Sequence, residues 1–156
     1  MQSEEIQERL QRLIRRYGTP PVATEAEDTS RNKSGPAVIQ RVNHACGDAV
    51  ELRVDEEEDA FHLRVKGCSI CRAAAVVVEQ LIRPSSPAGL TEDLIAALRN
   101  PDVSPDSILS SLQDDTIRQD VEDLVLIAYL PGRRRCATLP LETVMDYYHA
   151  HPETAG

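Results

Sequence analysis

No apolar run in this sequence approaches the ~20 residues that a membrane-crossing helix needs; the longest candidate, residues 73–78, is far too short. The chain also lacks an excess of positive charge. With 17 Lys and Arg against 26 Asp and Glu, its formal net charge is -9, which opposes a general attraction to nucleic-acid phosphates. The first residues, Met1-Gln2-Ser3-Glu4-Glu5, are acidic and lead into an amphipathic pattern, not the basic-then-apolar order of a secretory signal. Neither an internal repeat nor a low-complexity tract is present. A cytoplasmic protein without membrane or nucleic-acid partners is the expectation. There its four cysteines would stay reduced, and they read as metal ligands or catalytic thiols before disulfides.

At 156 residues the chain fits one domain, 1–156, and is long enough to bury a core without disulfides. Ile6, Leu10, Leu13, Ile14 and Tyr17 recur at helical spacing, with Ser3 as a cap and Glu4 and Glu5 at the positive helix end. Gly18 and Pro20-Pro21 stop that helix, and an exposed connector is expected over about 18–35. The arginines at 12, 15 and 16 read as a solvated helix face.

Strand patterns follow. Val50, Leu52 and Val54 alternate with Glu51, Arg53 and Asp55, and Phe61, Leu63 and Val65 alternate with His62, Arg64 and Lys66. This predicts a hairpin closed by the acidic turn 56–59, with 36–42 as a third strand. After Cys68 the period becomes 3.6. Ile70, Ala73, Ala74, Val77, Val78, Leu81 and Ile82 line one helix face, with Ser69 near its cap and Pro84 at its end. Thr91 is read as opening a further helix, Ser104 as capping another behind Pro105, and Val121, Leu124, Val125 and Ala128 as one more stripe. A last helix carries Leu139, Val144, Tyr147 and Tyr148, with Pro140 restricted to its first turn. The predicted class is α+β, a small three-stranded antiparallel sheet with helices packed on one face.

Three cysteine contexts carry chemistry. Cys46-Gly47-Asp48 lies in the bend between two strands, where glycine permits a sharp turn and close approach. Gly67-Cys68 stands where a strand ends and a helix begins, so free backbone N–H groups favour the thiolate. Cys136 follows Arg133, Arg134 and Arg135 at a helix start, an electropositive place with the same expected effect. Thiolates with a carboxylate can complete a tetrahedral zinc site or hold an iron-sulfur cluster. Cys68-Ser69-Ile70-Cys71 also has the spacing of a redox pair, but no βαβ pattern surrounds it, and Cys71 reads as core. His44, His62, His149 and His151 read as surface residues.

These stretches resemble the U-type iron-sulfur cluster assembly proteins, the group of the NifU N-terminal domain, IscU and SufU. The resemblance runs from about Arg31 to Tyr148 and rests on Asn43-His44-Ala45-Cys46-Gly47-Asp48, Gly67-Cys68-Ser69-Ile70 and Arg133-Arg134-Arg135-Cys136; Arg31-Asn32-Lys33-Ser34-Gly35 adds a less specific match. The long interval between Cys68 and Cys136 and the Leu130-Pro131-Gly132-Arg133 stretch make SufU the nearest pattern. His44 departs from the family's proline, and Cys71-Arg72 from its Ser-x-Ala.

The resemblance implies that Cys46, Asp48, Cys68 and Cys136 bind zinc or iron, or a transient iron-sulfur cluster. It implies a scaffold or sulfur acceptor, not a stand-alone enzyme unless it acts as a zinc-dependent sulfurtransferase. Sulfur would come as persulfide from a SufS-like cysteine desulfurase onto Cys46, with Cys136 as the alternative acceptor and Arg133 in support, and would pass to downstream iron-sulfur carriers or apoproteins. The competing reading is a zinc-stabilised protein-interaction module without sulfur transfer.

Overall fold

The computed structural model describes residues 2–18 and 38–151. The expected connector beyond Gly18, the 31–35 stretch and the first two residues of the predicted strand at 36–42 lie outside them. Helix α1 spans Ser3–Tyr17. Strands β1 (Val38–Asn43), β2 (Asp48–Asp55) and β3 (Ala60–Lys66) follow, then α2 (Ser69–Leu81), α3 (Ala88–Arg99), the single turn α4 (Asp106–Leu109) and α5 (Asp115–Leu124). Two short 3-10 turns, Val125–Tyr129 and Pro131–Arg133, lead into α6 (Arg134–Ala150).

The sheet is antiparallel in the order β1-β2-β3. Its register sets Asn43 opposite Asp48, Leu52 opposite Leu63 and Val54 opposite Phe61. With a side-chain period of two, this pairing sends Val50, Leu52, Phe61 and Leu63 to the buried face. Glu51 lies on the other face with Arg53 and Arg64 as ion-pair partners. Helices α2 and α6 cover the buried face, while α1 packs on α2 and α5. The α+β class and the three-stranded antiparallel sheet stand as expected.

The core is one cluster in which Phe61 meets Tyr147 and Tyr148 edge-on, with centroids 5.3 and 5.9 Å apart. The helix starts depart from the sequence reading. Gln2, not Ser3, occupies the cap of α1 and makes no side-chain bond there, and Cys68, not Ser69, caps α2. Thr91 is buried inside α3, which begins at Ala88 behind Pro87. Ser104 does accept a hydrogen bond from the Asp106 N–H at 3.2 Å.

Pro140 lies inside α6, beyond its first turn. Lacking an N–H, it leaves the Cys136 carbonyl, four residues back, without its helical donor.

Of the three arginines read as a solvated face, Arg12 and Arg16 are exposed yet pair with buried carboxylates, while Arg15 stays exposed. Asp123, only 2% exposed, accepts from Arg9 Nε at 2.7 Å and Arg12 at 3.2 Å, and Asp120 accepts from Arg16 at 2.8 Å and from the Tyr17 hydroxyl at 2.7 Å. These bonds clamp α1 onto α5. His151 is likewise no free surface residue: it caps α6, and its ring stacks on Tyr147 at 4.5 Å.

Candidate metal centre

The turn between β1 and β2 is built by Asn43 and Gly47. The Asn43 side chain accepts from the Ala45 N–H at 3.1 Å, and its carbonyl accepts from the Gly47 N–H at 2.8 Å. Gly47 takes φ +78, a left-handed conformation that glycine adopts without penalty. The turn leaves Cys46 exposed and returns the chain so that Asp48, first residue of β2, is 2% exposed.

Asp48 is the hub. Its Oδ2 lies 3.1 Å from Cys46 Sγ and 3.4 Å from Cys68 Sγ, while its Oδ1 accepts from the Cys68 N–H at 2.9 Å. Cys136, buried at 7% exposure, reaches the same place from the first turn of α6. The ligand atoms of Cys46, Asp48 and Cys136 lie within 4.8 Å of one another. Cys68 lies outside that triplet and joins it through Asp48. The four residues named from sequence therefore converge from the β1–β2 turn, the β3–α2 junction and the start of α6.

The electrostatics explain what would settle there. Burial alone would raise the Asp48 carboxyl, but bonds from Cys46, the Cys68 N–H, Cys136 and Cys68 outweigh it and hold the group below its ordinary value. Burial drives the Cys136 thiol well above its ordinary value, and the Cys68 and Asp48 partners push it further.

The expected stabilisation of a Cys136 thiolate by its helix start is thus reversed, because the side chain is buried against a carboxylate. A cation resolves the conflict. Sulfurs around a tetrahedral zinc at about 2.3 Å sit about 3.8 Å apart, so the Cys46, Asp48 and Cys136 atoms, within 4.8 Å of one another, need to contract by about an ångström at most, and Cys68 has to move in beside them. Three thiols and one carboxylate are a donor set that fits zinc or iron.

The other expected residues separate. Arg133 is exposed and lines an open groove of about 410 Å³ with Leu10, Ile14, Ile70 and Leu130. Cys71 is fully buried, as expected of a core residue, yet its N–H points at Cys68 Sγ, 3.5 Å away. His44 lines a second groove of about 710 Å³ beside Cys46, together with Arg41, Arg99, Arg134, Arg135 and Glu142. Arg41 pairs with Asp146 and Glu142, and Arg99 with Glu142. Sequence reading missed this groove because its arginines come from three elements far apart in the chain; only the 133–135 run signalled it.

No family model and no curated protein matches the chain. Solved structures do. A candidate iron-sulfur cluster assembly scaffold protein for the SUF system from the thermophile Fervidobacterium islandicum AW-1 is 18% identical with a TM-score of 0.55, over 86% of this chain and 92% of that one. The N-terminal part of a nitrogen-fixing NifU-like protein from Brucella abortus is 15% identical with a TM-score of 0.53, over 75% and 79%. The fold is that of the U-type scaffolds. A hypothetical protein shares it at 19% identity, with a TM-score of 0.52 over 70% and 78%. In this U-type frame the four site residues sit at one end of the sheet, where a turn, a helix cap and a helix start meet. Among the described residues, no helix is long and apolar enough to cross a membrane.

Proposed function

We propose that this chain takes part in iron-sulfur cluster assembly, binding metal through Cys46, Asp48, Cys68 and Cys136 and accepting sulfur on Cys46 from a cysteine desulfurase. The observation that carries the reading is the gathering of three cysteines round one buried aspartate on a U-type scaffold fold. Zinc or iron held there supplies the positive charge that lets the buried thiols act as thiolates.

Cys46 is the exposed member, in a glycine turn that a partner's persulfide can approach. Its thiolate attacks the outer sulfur of the donor persulfide; the donor's S–S bond breaks, the donor cysteine leaves as thiolate, and the proton stays on the transferred sulfur. Asp48 bonds the Cys46 sulfur and the Cys68 backbone through separate oxygens, so Cys46 can swing out while Asp48 stays anchored. Cys136, buried, is the less accessible acceptor. Iron or a nascent cluster would then be cargo, passed on to apoproteins.

The test is mass spectrometry of cysteine peptides after incubation with a cysteine desulfurase and cysteine, followed by absorption spectroscopy on adding iron. Added sulfur on the Cys46 peptide and a sulfide-to-iron charge-transfer band are expected. Retained zinc with neither event would establish a zinc-stabilised interaction module instead.

A further inference from the structure

We infer that Cys68 and Cys71 form a dithiol that reduces incoming sulfane sulfur to sulfide within this chain, with Cys71 as the resolving thiol. The inference rests on the reading of the chain as a sulfur acceptor. Its chemical motive is general: persulfide sulfur must gain two electrons before it can serve as the sulfide of a cluster.

Cys68 occupies the N-cap of α2 in extended conformation, and Cys71 is the third helical residue. The Cys71 N–H donates to Cys68 Sγ at 3.5 Å, so the Cys68 sulfur is folded back over the first turn toward Cys71. Helix geometry puts Cα atoms three residues apart at about 5 Å, within the range a disulfide spans. This is the placement in which Cys-x-x-Cys pairs exchange electrons, and it requires no parallel sheet to form locally.

Cys71 is also distinct from the metal ligands. It is 0% exposed and packed in the hydrophobic core, whereas the Cys68 sulfur lies 3.4 Å from the Asp48 carboxylate. Burial pushes its thiol well up, and the charges of Asp48, Cys68 and Cys46 add to that. A resolving thiol needs only its neighbour, and burial shields it from outside oxidants.

The steps balance. The Cys68 thiolate attacks the outer sulfur of the Cys46 persulfide; the Cys46 S–S bond breaks, Cys46 leaves as thiolate, and the proton travels with the transferred sulfur. The Cys71 sulfur then attacks the inner, Cys68 sulfur of the new persulfide. The bond from Cys68 to the outer sulfur breaks, and a Cys68–Cys71 disulfide forms. The outer sulfur takes two electrons and both protons and departs as hydrogen sulfide beside Cys46, Asp48 and Cys136. One turnover needs no other reductant, and a dithiol reductant resets the pair.

The full-length, metal-free reduced chain is mixed with glutathione persulfide, and sulfide is trapped and quantified. Residues 67–72, a single tryptic peptide bounded by Lys66 and Arg72, are weighed before and after alkylation. The expected result is sulfide release in step with conversion of the wild-type 67–72 peptide to its internal disulfide. Cys71→Ala and Cys71→Ser should hold the added sulfur as a persulfide and release sulfide no faster than buffer.

A 67–72 peptide that stays fully alkylatable while sulfide is released overturns the proposal on the wild-type chain alone, whatever the variants do. Undiminished release by the variants also overturns it. A parallel arm with desulfurase and cysteine separates the two readings: disulfide formation from glutathione persulfide but no sulfur uptake from the desulfurase would sustain the dithiol and remove the proposed donor.

Discussion

A Cβ added at Gly67 would lie 2.7 Å from Cγ of Asp48 and 3.0 Å from its Cα. The glycine before Cys68 is therefore the space in which the central carboxylate sits, and its φ of +151 is one that side chains rarely adopt. Gly67→Ala should displace Asp48, breaking its bond to the Cys68 N–H. Backbone strain and overpacking together predict a loss of about 2–4 kcal/mol in stability. Urea unfolding checks the stability, and a zinc-chelator competition should show weaker metal binding in the same variant.

Asp48→Ala is expected to behave differently from any cysteine change. An oxygen ligand is the weakest of the set for a borderline-soft metal, and its removal leaves three sulfurs and an open position. Metal should persist at reduced affinity, whereas serine at Cys46, Cys68 or Cys136 should lose it and lower the thermal midpoint. Elemental analysis across the four variants decides; unchanged metal in the three serine variants would remove the site assignment.

Much of this site is legible in the sequence because it is local. Alternation at Val50, Leu52, Phe61 and Leu63 defines the sheet face, and the change of period after Cys68 locates the strand-to-helix junction where Gly67 and Cys68 act. What stays hidden depends on contacts between distant segments. Nothing near Asp120 or Asp123 signals that these carboxylates of α5 are buried partners of Arg9, Arg12 and Arg16, more than a hundred residues away. Burial likewise overrules the local helix-start argument at Cys136, and a cysteine takes the cap that the adjacent Ser69 would be expected to fill.

The α1–α5 clamp makes a prediction about asymmetry. Asp123 is 3% exposed at its side chain, Arg9 19% and Arg12 49%. Removing the shared buried carboxylate leaves Arg9 without its close partner, so Asp123→Ala should cost about 3 kcal/mol. Arg12→Ala, which removes a half-exposed arm, should cost less than about 1 kcal/mol. Urea midpoints at an unchanged slope give both values.

Tyr148 donates a 2.6 Å hydrogen bond to the Arg83 carbonyl, and burial pushes its hydroxyl up to about 12. The unfolded chain releases that proton near pH 10, so the contribution is intact below pH 10 and lost as pH rises toward 12. The loss amounts to about 2–3 kcal/mol over that window. Tyr148→Phe should be less stable at neutral pH by about 1 kcal/mol and show a flatter decline between pH 10 and 12, read from unfolding free energies across that range.

The groove beside Cys46 predicts how a sulfur donor is drawn in. Arg41, Arg99, Arg134 and Arg135 gather there, Arg41 paired with Glu142 and Asp146 and Arg99 with Glu142, in a chain whose net charge is -9. If Cys46 accepts sulfur as proposed, such a local reversal of sign would steer an acidic partner surface toward it. Arg135 is exposed and immediately precedes Cys136, whereas the Arg134 guanidinium is held by the Ala128 carbonyl. Arg135→Glu should therefore slow desulfurase-dependent sulfuration of Cys46 by about tenfold at low salt, with the difference shrinking as salt screens it. Its zinc content should not change. An equal slowing with glutathione persulfide as donor would show that Arg135 acts on the thiol itself and not on docking.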